Sequence, residues 1–257
     1  MAYPFESITH KEYVNTFLVN TTVSLISKEW NGHFKDDFES RYSGFVKRFF
    51  GLEKDGKEFV ERNGLSLTSR EDDMTYSFMP DKANLRVGRK KYHTFMYSII
   101  PELLPLKVFL FDVLDKKSIE NVMVRKLNVF PIQAGSVDEI KQNALNIYAY
   151  IFKPAILSEF SKADPPENSP WIIDFRKGLF SDKDDEMVVR MGISQSRGSK
   201  NVFNVVLDSS TRCKVPSTIE EGAVDRILLR QNDSLFDAYH WCVSDEVIQL
   251  MEKKGQK

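Results

Sequence analysis

Cysteine is scarce in this chain of 257 residues, and its scarcity excludes two classes of site. Cys213 and Cys242 are the only two, they lie far apart, and they form no CxxC pair. The sequence therefore indicates neither a disulfide framework nor a cysteine zinc site. Four histidines are present, and none of them is paired at i, i+4 spacing: His10, His33, His93 and His240. We predict no bound metal and no cofactor from this pattern.

An excess of charge of one sign is also absent. The chain has 36 basic and 37 acidic residues, which gives a net charge of −1. Proteins that neutralise phosphates usually carry a basic excess, so the composition gives no general support for nucleic-acid or membrane-surface binding, although a local site stays open. The first six residues show no basic region followed by an apolar run, as a signal peptide would. We therefore expect a soluble, cytoplasmic protein.

No uninterrupted apolar run is long enough to cross a membrane. The most apolar window, 95–114, has about the length of a spanning helix. It contains three charged residues and two prolines: Glu102, Lys107, Asp112, Pro101 and Pro105. Charges are costly at the centre of a bilayer and prolines break helices, so the window predicts buried core, leaning towards a helix over 102–114.

Common catalytic signatures are missing as well. The chain has no GxxxxGK[ST], no GxSxG, no HExxH, no EF-hand loop and no GxGxxG after a strand. What it has in quantity is phenylalanine, with 19 residues, and this favours packing over ligand stacking. Aromatic and apolar residues recur at helical spacing over 36–50 and predict a helix with one apolar stripe.

The remaining patterns predict an α+β protein with a mostly antiparallel sheet. Strands are expected at 13–26, 65–67, 74–78, 84–87, 94–100, 120–132, 171–175, 187–193 and 202–207. Capping boxes at Ser136–Glu139 and 217–220 predict two helices, and Ser244 predicts a third. The order of elements suggests two similar halves, 1–133 and 134–257, although a single domain is equally compatible.

Three residues suggest a metal-dependent nuclease of the PD-(D/E)xK type. Pro80 and Asp81 precede an apolar run that is followed by Asp115 and Lys117. In such enzymes two carboxylates hold a divalent ion that activates water, and the lysine stabilises charge on the phosphate. Asp81 fits equally well in a turn between two strands.

Two basic segments suggest contact with nucleic acid without catalysis. Four cations follow one predicted strand, and two lie in a predicted hairpin loop: Arg86, Arg89, Lys90, Lys91, Arg197 and Lys200. Together they would form a surface that follows phosphates, although charges at strand ends are commonly only solvated.

A series of short motifs gives the chain a family resemblance. They are Arg125 with Asn128 and Phe130, Arg190 with Gly192, Val206 with Asp208, Phe236 with Trp241, Ser244, Asp245 and Glu246, and also Tyr92. In this order they resemble a sporadically distributed prokaryotic family, often associated with phages or mobile elements, that has no assigned function. The resemblance implies an α+β protein in host–phage conflict, and it implies no active site.

The same residues also have structural interpretations. Arg125 and Asn128 have opposite parity on a strand, so we expect them to face opposite sides. Asp208 would cap or turn the chain at a strand end. Phe236 and Trp241 would pin the C-terminal helices to the sheet.

The leading hypothesis is a non-catalytic binding or regulatory module. Its partner would be another protein or a second copy of the chain, in a phage-defence or toxin–antitoxin-like system. A nuclease and a non-catalytic nucleic-acid-binding protein are the alternatives.

Overall fold

Eight strands form a single antiparallel sheet in the computed structural model, and the described helices pack against this sheet. The structure describes residues 18–27, 45, 48–50, 65–69, 73–79, 81–113, 119–156, 175–181, 185–195, 202–215 and 222–249. The strands are β1 Leu18–Ile26, β2 Leu65–Ser69, β3 Met74–Met79, β4 Lys82–Val87, β5 Asn121–Gln133, β6 Phe175–Ser181, β7 Asp185–Gln195 and β8 Val202–Lys214. Their order in the sheet is β2-β3-β4-β1-β5-β8-β7-β6.

Helical segments follow β4, β5 and β8. They are α1 Phe95–Ser98, a 3-10 turn Ile100–Leu103, α2 Leu104–Val108, a π-helical turn Phe109–Val113, α3 Val137–Ile151 and α4 Ala223–Cys242. A further short helix covers 245–249. The predicted α+β class is therefore confirmed.

The two faces of the sheet differ because side chains alternate along each strand. We call one the helical face: it carries Val23, Val124 and Leu207, all buried, and the helices pack on it. The other, which we call the open face, carries Thr22, Arg125 and Asp208. Within the described residues, no helix packs on the open face.

Two apolar clusters lie between the helical face and the helices. The first centres on a group of aromatic rings, in which Phe78 lies 5.1 Å from Phe45 and 4.7 Å from Phe109 between ring centroids. The second joins Phe203 on β8 to Ile147 and Tyr148 on α3. The expectation that phenylalanine serves packing is thus confirmed for these rings.

Most predicted elements that fall on described residues are confirmed. The meander is present as β2, β3 and β4, and residues 100–113 are helical. The first capping box is formed, since Ser136 Oγ accepts from Glu139 N at 3.1 Å and Glu139 Oε2 accepts from Gly135 N at 2.7 Å. The box at 217–220 and most of 36–50 lie outside the described residues.

One predicted strand is wrong, because residues 94–100 begin a helical segment instead. The Thr94 hydroxyl accepts a hydrogen bond from Tyr97 N, so it acts as the N-cap of α1. Phe95, Ser98 and Ile99 are buried at i, i+3 and i+4, which is a helical pattern that alternation over so short a segment conceals.

The strands before and after residue 133 belong to the same sheet. The proposed boundary falls at the end of β5, which pairs with β1 on one side and with β8 on the other. The division into 1–133 and 134–257 stays a prediction. Among the described helices, none combines the length and the apolar character needed to cross a membrane.

Candidate anion-binding site on the open face

Three charged residues from three adjacent strands meet on the open face. Arg125 lies on β5, Asp208 on β8 and Arg190 on β7, and these strands are neighbours in the order β5-β8-β7. The register places Arg190 directly opposite Asp208, whereas Arg125 lies opposite Ser210, two residues further along β8. Direct and diagonal neighbours on one face of a sheet lie within reach of long side chains.

Asp208 and Arg125 form a bidentate ion pair. Arg125 Nε donates to Asp208 Oδ1 at 2.7 Å and Nη2 donates to Oδ2 at 2.6 Å. The Asp208 side chain is only 13% exposed, whereas that of Arg125 is 49% exposed. The paired geometry therefore orients the guanidinium while one of its edges remains open to solvent.

A second arginine adds its positive charge to the cluster. The hydrogen bond with Asp208 raises the pKa of Arg125, and the nearby charge of Arg190 opposes that rise. Two guanidinium groups and one carboxylate therefore lie close together on this face. Such a pair of arginines is suited to a carboxylate or phosphate group, which a guanidinium binds through two parallel hydrogen bonds.

A depression of about 210 Å³ lies beside these residues. Leu127 and Val206 provide apolar walls. Gly192 lies on β7 directly opposite Val206 and contributes no side chain. A glycine within a strand commonly marks a place where a ligand or another backbone comes close. The volume is below the roughly 300 Å³ of pockets for drug-sized molecules, so it suits a single functional group.

The residues that carry the family resemblance divide between the two sides of the sheet. Arg125, Arg190 and Asp208 come together on the open face. Asn128 is buried on the helical face, so its predicted opposite orientation to Arg125 is confirmed. Trp241 lies on α4, away from this cluster.

Two structural interpretations of these residues are wrong. Asp208 does not end a strand, since β8 continues to Lys214 and the carboxylate binds Arg125. Phe236 and Trp241 do not pin α4 to the sheet, because they are 56% and 45% exposed. The stripe of α4 that packs on the core consists of Val224, Leu228, Leu235, Ala238 and Cys242.

Of the three residues of the predicted nuclease site, only Asp81 is among the residues that the structure describes. Asp81 is exposed in the turn between β3 and β4, where its carbonyl accepts from Ser27 N at 2.8 Å. Asp115 and Lys117 lie outside the described residues. The apolar run before them is helical, whereas the nuclease motif places that run on a strand. Among the described residues, no group of three or more His, Cys, Asp or Glu side chains could hold a metal.

The predicted basic segment begins near the end of β4 and continues into the turn that follows this strand. Arg86 is exposed on the open face of β4, opposite Thr22, which in turn is opposite Arg125. Arg89, Lys90 and Lys91 lie in the turn that follows. Lys91 Nζ lies 3.9 Å from Glu102, and Arg197 and Lys200 fall outside the described residues.

A half-buried lysine on the helical face was not among the predicted site residues. Lys126 lies between the two apolar clusters, with Thr21 on one side and Ser209 on the other. Burial lowers its pKa to about 8, against the opposing charge of Asp233. The buried hydroxyl oxygens of Ser209 and Thr211 have no hydrogen-bond partner among the described residues. We call Thr21, Lys126, Ser209 and Thr211 the polar belt.

One feature of the sequence is consistent with a polar belt, namely the position of Lys126 in the alternation of β5, but this feature has two interpretations. The alternation of β5 places Lys126 in phase with Val122, Val124 and Phe130, all of which are buried. A lysine in an apolar phase is commonly a strand residue whose amine reaches solvent. Only the packing of α4 over β5 and β8 shows that this amine is largely enclosed.

Comparison of the chain with models of protein families, with curated proteins and with solved structures finds no match.

Proposed function

We propose that the protein is a non-catalytic binding module that holds an anionic group between Arg125 and Arg190. One observation carries the proposal: two arginines from neighbouring parts of the sheet line one depression. Their guanidinium groups attract an anion, and the ion pair with Asp208 already orders the Arg125 side chain. A pre-ordered guanidinium loses less side-chain entropy when a ligand binds.

The chemistry of the depression favours binding over catalysis. Asp208 is the carboxylate that lines it, and both of its oxygens accept hydrogen bonds from Arg125. A carboxylate that is engaged in this way is poorly placed to take a proton from a substrate, because both of its oxygens face Arg125. Ser194, also in the lining, is a polar contact for a bound anion.

Calorimetric titration with pyrophosphate tests this proposal. We expect binding to the wild type and an affinity at least tenfold lower for Arg190→Gln, because half of the guanidinium pair is lost. Arg226→Gln is the matched control, since Arg226 is exposed on α4, which packs on the helical face. Equal affinities for the wild type and Arg190→Gln, or no heat of binding at millimolar pyrophosphate, would contradict the proposal.

The setting in phage defence or in a toxin–antitoxin-like system is a separate prediction from the family resemblance. It is supported by the motif residues Arg125, Arg190 and Asp208, which are the ones that form the site. Co-purification from the native host, with Arg190→Gln as the comparison, tests whether the same site holds a partner there.

A further inference from the structure

The described part of the open face is basic, although the chain is not. Among the described strand residues whose side chains point to this face, six are basic and two are acidic. The basic residues are Lys82, Arg86, Arg125, Arg190, Arg212 and Lys214, and the acidic ones are Glu186 and Asp208. These eight side chains together carry a charge of +4, whereas the whole chain carries −1. Such segregation marks a surface that binds a polyanion.

The basic residues extend across most of the sheet. Arg86 on β4 and Arg190 on β7 are separated by four strand spacings, because the order between them is β4-β1-β5-β8-β7. At about 4.8 Å per spacing, this corresponds to roughly 19 Å. Duplex nucleic acid carries one charge per ~1.7 Å of its axis, so a surface of this width can contact several phosphates at once.

The uncharged residues of the open face show which part of a nucleic acid it would contact. They include Thr22, Thr75, Ser77 and Ser210, whose hydroxyl groups can donate to phosphate oxygens. Within the described strands, no side chain placed on this face is aromatic. A surface that binds single strands usually stacks their bases on aromatic rings, so the composition favours backbone contact.

From these observations we infer that the open face binds the phosphate backbone of double-stranded nucleic acid. The inference rests on the proposed function, since Arg125 and Arg190 would hold one of the phosphates. Arg86 and Arg212, both exposed and both outside the lining of the depression, would contact others. Recognition is independent of base sequence, because backbone contacts carry no direct sequence information.

Fluorescence anisotropy with a labelled 20-base-pair duplex tests the inference. We expect binding at 50 mM salt and a linear fall of log K with log salt concentration. The double variant Arg86→Gln/Arg212→Gln is expected to bind at least tenfold more weakly and to reduce the salt slope by about 2, one for each lost phosphate contact. Arg226→Gln is expected to bind like the wild type, and a single strand of equal length more weakly than the duplex.

The double variant also separates this inference from the proposed function. Because neither residue lines the depression, pyrophosphate affinity is expected to stay unchanged while duplex affinity falls. Pyrophosphate binding without duplex binding overturns the inference alone, and so does tighter binding of an acidic peptide than of the duplex. Loss of both pyrophosphate and duplex binding in Arg190→Gln supports both statements. If the wild type binds neither probe, both are wrong.

Discussion

The two halves of the sheet share a topology but differ in what they present to solvent. Outward from the centre, the strand order is β1, β4, β3, β2 on one side and β5, β8, β7, β6 on the other. The first half presents mainly hydroxyl and amide groups on the open face, with Lys82 and Arg86 as its basic residues. The second presents the Arg125–Asp208–Arg190 cluster and the depression. One arrangement of strands therefore supports two different surfaces, and the candidate site belongs to the second.

Strand length explains part of this difference. β5 and β8 have 13 residues each and β7 has 11, whereas β2, β3 and β4 have five or six. The additional residues of β5 and β8 reach beyond the first apolar cluster and build the second one with α3. The polar belt lies where the two clusters meet. The longer strands also provide the adjacent rows that bring Arg125, Asp208 and Arg190 together.

The largest expected effect on stability comes from removing one buried aromatic ring from each apolar cluster in turn. Phe78 and Phe203 are both fully buried, one in each cluster, and we expect each Phe→Ala change to lower the free energy of unfolding by about 3–5 kcal/mol. Denaturant unfolding followed by circular dichroism and by fluorescence measures this. The first cluster includes residues of α4 and β5, so we expect one coincident transition for both variants.

Leu145 is 77% exposed on α3, and Leu145→Ala is the control, with an expected change below about 0.5 kcal/mol. Two separate transitions in Phe203→Ala would show that the halves unfold independently.

A smaller effect is expected at the junction of the halves, where Lys126 lies. Its pKa in the folded protein is about 8, below the 10.5 of an unfolded lysine. Between these values the unfolded chain binds more protons, so the free energy of unfolding rises with pH. We expect this rise between pH 8 and about 9, above which the pKa of the buried Cys242 thiol, raised to about 12, acts in the opposite direction.

The variant Lys126→Met isolates this contribution. At pH 7 its free energy of unfolding is expected to be about 2 kcal/mol higher than that of the wild type, because no charge remains to be desolvated. For the same reason, the increase in stability above pH 8 is expected to be absent. Urea unfolding at several pH values measures both effects. If the wild type and Lys126→Met show the same change in stability between pH 8 and about 9, this amine is solvated.

The charged pair of the second half can be compared with a neutral pair of the first. We expect Asp208→Asn to cost about 1 kcal/mol, since it removes the charge and one of the two oxygens that accept from a half-exposed arginine. Thr68 and Thr75 hydroxyls lie 3.3 Å apart on exposed parts of β2 and β3, and Thr75→Ala is expected to cost less than about 0.5 kcal/mol. Thermal unfolding measures the difference, and equal costs would remove any structural distinction between the two surfaces.

The smallest effects concern the helix caps of the two halves. Ser136 caps the 15-residue α3, and Thr94 caps the four-residue α1. We expect Ser136→Ala to cost about 1 kcal/mol and Thr94→Ala about half as much, since the short helix has fewer residues to lose. A larger cost for Thr94→Ala, measured by denaturant unfolding, would mean that α1 organises the first half more strongly than α3 organises the second.

Local patterns in the sequence were sufficient where a single interaction decides the structure. The capping box at Ser136 and the meander of β2, β3 and β4 depend on neighbouring residues, and both are present. The predicted strand at 94–100 is wrong because the helical burial pattern of this segment is shorter than two turns.

The candidate site could not be assembled from sequence, because its geometry depends on register between distant strands. Arg125 and Asp208 are 83 residues apart, and their pairing requires the alignment of β5 with β8. The motif resemblance includes both residues, whereas their structural interpretations treat each strand separately and do not pair them. Lys126 was missed for a similar reason, since only the helices that cover it determine whether its amine reaches water.

Nuclear magnetic resonance of the arginine side chains tests the central claim most directly, namely that the open face of the second half is the binding surface. Guanidinium Nε–H resonances are followed during titration with pyrophosphate, with Arg226 and Arg230 on α4 as internal references. The account predicts that the Arg125 and Arg190 resonances shift together and saturate, while those of the α4 arginines stay in place. Saturable shifts confined to Arg226 and Arg230, or no shift at either Arg125 or Arg190, would contradict it.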